Sequence, residues 1–225
     1  MNPSDFLAIL PLVILVSWAC VLLLVDLFVS REHKSLTAIL AALGLAVTLG
    51  VALLQSGHTR VVFGGMLVVD GFASFLSILF LGSGLVAIAL SYDYLHRMGI
   101  ARGEYYTLML FAITGMILMA YAADLIVVFL ALELFSIPLY VLSGFARPRL
   151  DSEESAMKYF LLGAFASGFL VYGIALVFGA TGSTNLKAIV EAIRNGAANA
   201  QMLSLGAGLV LVGLGFKVGA VPFHM

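Results

Sequence analysis

Apolar residues in this chain come in long unbroken runs, and that continuity constrains the fold more than anything else. Seven runs stand out, at about 6–29, 36–55, 71–92, 105–122, 124–145, 155–180 and 201–225. Each of the first six approaches the ~20 residues that an α-helix needs to cross the hydrocarbon core of a bilayer. Strands of a transmembrane barrel would alternate in polarity and stop after about 10 residues. Hydrophobic residues make up 63% of the 225 and charged residues 10%, with mean hydropathy +1.15. A soluble domain carries about 25% charged residues. The chain therefore reads as an all-α polytopic membrane protein of about seven transmembrane helices. Its surroundings include the lipid bilayer, and a net charge of −1 gives no basis for a nucleic-acid partner.

The remaining features refine the topology. Cys20 is the only cysteine, which excludes an internal disulfide and leaves no metal-ligand spacing. The N-terminal MNPSDFLAILPLV lacks Lys or Arg before its apolar run, so it reads as a retained anchor rather than a cleaved signal. Asp70 and Asp124 directly precede spans and suit helix N-caps, whereas Asp26 and Asp93 are expected at helix ends in the interface. Loops after the first, third and fifth spans hold Arg31, Lys34, Arg97, Arg102, Arg147 and Arg149. The opposite side holds Arg60, Lys187 and Arg194. The bias places the N-terminus on the non-cytoplasmic side of a cell inner membrane. In TNLKAIVEAIRN, Leu186, Ile189, Val190 and Ile193 share one helical face, which predicts a short helix on the outer surface.

Two charges stand alone in apolar runs, each with a proline five residues later: Glu133 in LALELFSIPLYVL and Lys217 in LVGLGFKVGAVPF. A charge at membrane depth costs roughly 2.5–3.5 kcal/mol on insertion scales, so it is seldom there without a partner or a task. The following proline removes a backbone donor and is expected to kink or open each helix. At 1.5 Å of rise per residue, Glu133 lies roughly 13 Å into its helix and Lys217 about 24 Å into its own. Side chains tilt toward the helix N-terminus, which brings Lys217 toward the level of Glu133. Lys158 lies only about 5 Å from the inner edge, where a lysine can also snorkel to the interface. Burial disfavours the charged form of either group and a nearby opposite charge favours it. A Glu–Lys pair of variable separation can therefore load and release a proton; a static ion pair that fixes helix packing is the alternative. His224, two residues past Pro222, suits a proton relay at an opened helix or a histidine simply hydrogen-bonded there. Gly213, Gly215 and Gly219 lack the strand and loop of a nucleotide site, and Gly215 with Gly219 reads as a close-packing pair.

These residues carry a resemblance. DLIVVFLALELFSIPLYVLSGF, SEESAMKYFLLGAFASGFLVYGIALVFGATGST and GFKVGAVPFHM resemble the antiporter-like membrane subunits of NADH–quinone oxidoreductase, complex I, in the form found in subunit N. The resemblance implies a fold of about fourteen helices with two inverted repeats, each holding a broken helix. This chain matches its first half, with a broken seventh helix. Residues 1–103 would be the N-terminal three-helix segment, and 104–225 an incomplete first repeat. The resemblance implies that Glu133 is the coupling carboxylate, that Lys158 and Lys217 are proton-channel lysines, and that His224 marks the helix break. It puts NADH, FMN, the iron–sulfur clusters and quinone on other subunits, with no cofactor here. The expected partners are antiporter-like subunit M and the small membrane subunits. The implied function is proton translocation coupled to quinone reduction elsewhere in the complex. A subunit of a multisubunit cation/proton antiporter, or a truncated non-conducting structural subunit, is the alternative. The last span ends at His224 and Met225 without a polar flank, so the chain is expected to be the N-terminal part of a longer protein.

Overall fold

A computed structural model describes residues 3–30 and 34–221. The described residues form nine α-helices and one hairpin: α1 (Pro3–Ala8), α2 (Leu10–Asp26), α3 (Ser35–Gln55), β1 (Arg60–Val62), β2 (Leu67–Val69), α4 (Gly71–Arg97), α5 (Glu104–Tyr121), α6 (Leu125–Ser143), α7 (Leu150–Thr181), α8 (Leu186–Arg194) and α9 (Ala200–Lys217). Six of them, α3 to α7 and α9, are long and apolar enough to cross a membrane. The first apolar run divides at Ile9, and Pro11 follows in the first turn of α2, where its missing N–H breaks no helical hydrogen bond. Asp70 and Asp124 cap as expected, accepting hydrogen bonds from the amides of Ala73 (2.8 Å) and Ile126 (2.9 Å). The amphipathic segment forms α8, capped by Asn185.

The hairpin was not foreseen. Its strands are only three residues each, too short to show alternation, and its turn runs through Phe63, Gly64 and Gly65 at positive φ. It anchors the start of α6. Ala123 N–H donates to the Met66 carbonyl at 2.9 Å, and Asn185 Nδ2 donates to the Gly65 carbonyl at 2.8 Å. Thr184 Oγ1 then donates to Asp124 Oδ2 at 2.8 Å, while Leu125 N–H donates to the Thr184 carbonyl at 2.9 Å. Three loops thereby share one hydrogen-bonded knot that sets the depth of α6.

Two apolar cores lie beneath. The larger includes Leu15, Leu45, Leu81, Leu110 and Ile117, all fully buried where α2 to α5 meet. The smaller joins α6 and α7 through Leu132, Leu170 and Ile174, with Val210 and Leu214 of α9 against it. Leu54, Leu90 and Phe165 project outward from their helices, as lipid-facing residues do. Helix contact in a membrane depends on close backbone approach at small residues. On α7 and α9 that approach is at Gly173, Gly206 and Gly213. The expected pair Gly215 and Gly219 is not the seam: Gly219 lies past the end of α9 at φ +63°, with open space where a Cβ would stand.

Other expectations are corrected. Pro138 does not open its helix, because α6 runs continuously from Leu125 to Ser143. Neighbouring helices hold it, and the proline merely leaves the carbonyl four residues back without a donor. Asp26 is the last residue of α2, at a helix end as expected, yet it is only 5% exposed. Its carboxylate accepts from Lys34 Nζ at 2.7 Å and Thr37 Oγ1 at 2.7 Å, so burial is compensated within the α2–α3 contact. Asp93 remains exposed and pairs with Arg97.

Two outcomes follow for stability in detergent. Gly115 faces the backbone of Phe135, and an added Cβ would stand 2.5 Å from its amide nitrogen. Gly115→Val should push α5 from α6 and cost about 1–3 kcal/mol, read as a lower thermal midpoint. Lys34→Met leaves Asp26 buried without its cation and should cost about 3 kcal/mol in the same assay. Adding Asp26→Asn should recover most of that loss.

Candidate functional site

Glu133, Ser136 and Tyr140 stand at i, i+3 and i+7 on α6, so one helical stripe presents all three. Opposite them, α7 brings Gly163 and Ser167, and α9 brings Lys217 at its last helical residue. The position of α9 follows from its start. Asn199 caps it by accepting from the Met202 amide at 3.1 Å, while its own N–H donates to the Ala180 carbonyl at 3.1 Å. From there the glycine seam lets α9 run closely along α7 to Lys217.

The geometry around Lys217 is specific. Nζ is 2.7 Å from Tyr140 Oη, 3.2 Å from Ser136 Oγ and 3.5 Å from Glu133 Oε1. An ammonium has three protons and no acceptor, so three oxygens match its donors one for one. Nζ also lies 5.4 Å from the centre of the Tyr140 ring. The lysine side chain is 7% exposed and that of Glu133 25%. Glu133 Oε1 meets Ser167 Oγ at 2.5 Å, and that same hydroxyl is 2.9 Å from the Gly163 carbonyl. Its single proton serves one of these acceptors at a time. Both charges thus touch hydroxyls more closely than they touch each other. The pair is joined at 3.5 Å, with Ser167 and Tyr140 taking the shorter contacts.

The structure brings Glu133 and Lys217 together and leaves Lys158 apart. α7 begins at Leu150, five residues before the span read from the sequence, so Lys158 is its ninth residue. Lys158 is 56% exposed and forms an ion pair with Glu154 one turn earlier, rather than joining the cluster. His224 lies outside the described residues, as does Pro222. Helix α9 nevertheless ends at Lys217, followed by Gly219 at positive φ. Ser136, Tyr140 and Ser167 were missed from sequence. The first two could have been found, because hydroxyls at i+3 and i+7 from a buried carboxylate share its face. Ser167 lies on another helix, and only the packing reveals it. Among the described residues no group of three or more His, Cys, Asp or Glu side chains could hold a metal ion.

The comparisons agree with this architecture. The family model for the NADH:quinone oxidoreductase/Mrp antiporter transmembrane region matches residues 122–225. NADH-quinone oxidoreductase subunit N of Chloroflexus aggregans is 53% identical, covering 99% of this chain and 46% of the relative. Subunit N 2 of Roseiflexus castenholzii is 49% identical, covering 99% and 45%. The chain spans about half the length of the curated relatives it matches. Among solved structures, respiratory complex I from Thermus thermophilus, determined with bound aureothin, aligns at TM-score 0.79 and 36% identity over 95% of this chain and 45% of that one. The Mrp complex from a Dietzia species shares the fold at TM-score 0.74 and 21% identity, over 100% of this chain and 42% of that one. Nearly the whole length of the chain is thus similar, at about half identity, to part of a subunit N among the antiporter-like membrane subunits of NADH–quinone oxidoreductase.

Proposed function

We propose that the chain is the proton-handling half of a membrane-arm subunit in a respiratory NADH–quinone oxidoreductase, and that Glu133 and Lys217 form its switching pair. The observation that carries this reading is a lysine ammonium, nearly excluded from the surface, held by three oxygens of which only one bears a charge. At 3.5 Å and an effective dielectric of about 20, the ion pair contributes roughly 5 kcal/mol of gross attraction. Doubling the separation halves that figure. The difference of about 2 kcal/mol is more than tenfold in any equilibrium coupled to it. Quinone reduction in other subunits would supply the work that moves the carboxylate. Lys217 would lose its proton when Glu133 withdraws and regain one when it returns.

Lys158 and His224 extend this reading as groups further along the proton path. Lys158 would take part only after leaving Glu154. The N-terminus faces the non-cytoplasmic side of the inner membrane, with Arg102 and Arg147 inside. Subunit M and the small membrane subunits are the neighbours, and NADH, FMN, iron–sulfur clusters and quinone are handled elsewhere. The shared Mrp fold supports a second reading, a subunit of a cation/proton antiporter, in which the pair would serve ion exchange without a redox partner.

Glu133→Gln keeps shape and removes the charge. In membrane vesicles holding the assembled complex, protons translocated per electron should fall several-fold while the complex still assembles. Unchanged stoichiometry in that variant would overturn the proposal. Translocation that persists without NADH oxidation and depends on Na⁺ would favour the antiporter.

A further inference from the structure

Glu133 meets two donors on different helices. Its Oε1 accepts from Ser167 Oγ of α7 at 2.5 Å and from Lys217 Nζ of α9 at 3.5 Å, so a hydroxyl and an ammonium compete for one oxygen. The hydroxyl has a second acceptor, the Gly163 carbonyl one turn back on α7, at 2.9 Å. A serine inside a helix can return its proton to the carbonyl four residues earlier, and with one proton it serves one acceptor at a time. Packing holds that carbonyl in place. Gly163 is buried, and a Cβ there would collide with the hydroxyl of Tyr140, the residue that makes the shortest contact of Lys217 at 2.7 Å. One turn of α7, from Gly163 to Ser167, therefore touches the lysine's partner at one end and the carboxylate at the other.

We propose that Ser167 is a positioning residue that holds the Glu133 carboxylate when it withdraws from Lys217, with the Gly163 carbonyl as the hydroxyl's other seat; the role rests on the switching pair described above. With Glu133 closed on Lys217, the hydroxyl turns about its C–O bond and donates to Gly163. With Glu133 withdrawn, it donates to the carboxylate. The serine keeps its proton throughout, and no covalent bond changes. Two penalties are avoided in this way. A carboxylate that left its cation inside an apolar bundle would stand uncompensated, and a hydrogen bond donated to a charged acceptor is among the strong ones. A hydroxyl whose acceptor had moved away would be an orphaned donor, and the carbonyl one turn back prevents that. The structure lies at the crossing point, with the hydroxyl in reach of both acceptors and the carboxylate in reach of both donors.

The test is made in the assembled complex in vesicles. Ser167→Ala removes the hydroxyl with little change of volume, and losing a hydrogen bond to a charged group should slow proton translocation roughly tenfold. Ser167→Thr and Ser167→Val share one shape and differ in the hydroxyl. The threonine, whose hydroxyl reaches the same carbonyl in a helix, should come within about twofold of wild type, and the valine should not. In the redox-induced infrared difference spectrum, the Glu133 carboxylate band is the one missing in Glu133→Gln. That band should shift in Ser167→Ala and return in Ser167→Thr. In a Glu133→Gln background Ser167→Ala should cost nothing further, because the serine acts through that carboxylate. A serine that merely packs α7 would leave the band unmoved and give equal losses in the threonine and valine variants. That result, alongside a Glu133→Gln variant that fails to pump, would overturn the positioning role and leave the switching pair standing. Normal pumping in Glu133→Gln would instead sink the reading beneath it.

Discussion

An ammonium inside an apolar bundle has three protons to place, and the architecture around Lys217 follows from placing them. Without acceptors that charge would be strongly unfavourable at membrane depth. The acceptors come from one stripe of α6, whose depth is fixed by the knot of hairpin, α5–α6 turn and α7–α8 turn. The lysine comes from the end of α9, which can reach α6 only because the glycine seam seats it closely along α7. Packing and chemistry are therefore one problem in this half of the molecule. A change at Gly115, which packs on the α6 backbone at Leu134 and Phe135, or at Gly206 on the α7–α9 seam would shift the oxygens that Lys217 depends on.

The proposed switching role rests on how loosely the pair is joined. A buried ion pair that serves only stability gains most from short, well-satisfied contacts between its two charges. Here the charges stand 3.5 Å apart, while Tyr140 and Ser167 take the shorter contacts. Contrast Asp26 and Lys34, at 2.7 Å with Thr37 completing the carboxylate. The chain holds both kinds, one tight near the bundle end and one loose within it. The loose one fits a group whose partner must come and go.

Much of the fold was legible because membrane spans follow from continuous hydropathy, and caps such as Asp70 and Asp124 act locally. The partnership of Glu133 with Lys217 was legible too, since depth and side-chain tilt suffice to bring two isolated charges to one level. Other features depend on packing. The partners that bury the Asp26 carboxylate, Lys34 and Thr37, come from the start of α3 and are not visible at the end of α2, and α6 survives Pro138 because its neighbours hold it straight. The glycine seam moved from Gly215 and Gly219 to Gly206 and Gly213, because the direction in which α9 faces α7 is set by contact, not by spacing. The hairpin strands are too short to show a period.

The central claim is that Glu133 and Lys217 act as one unit, and a double-mutant cycle on proton translocation tests it most directly. Glu133→Gln, Lys217→Met and the double variant would be assayed in the assembled complex, each against the same rate of electron transfer. Groups that work as a unit show strongly non-additive losses. The account predicts that the double variant is about as impaired as the worse single variant. Losses that multiply independently would contradict it, and the two charges would then be separate elements of the bundle.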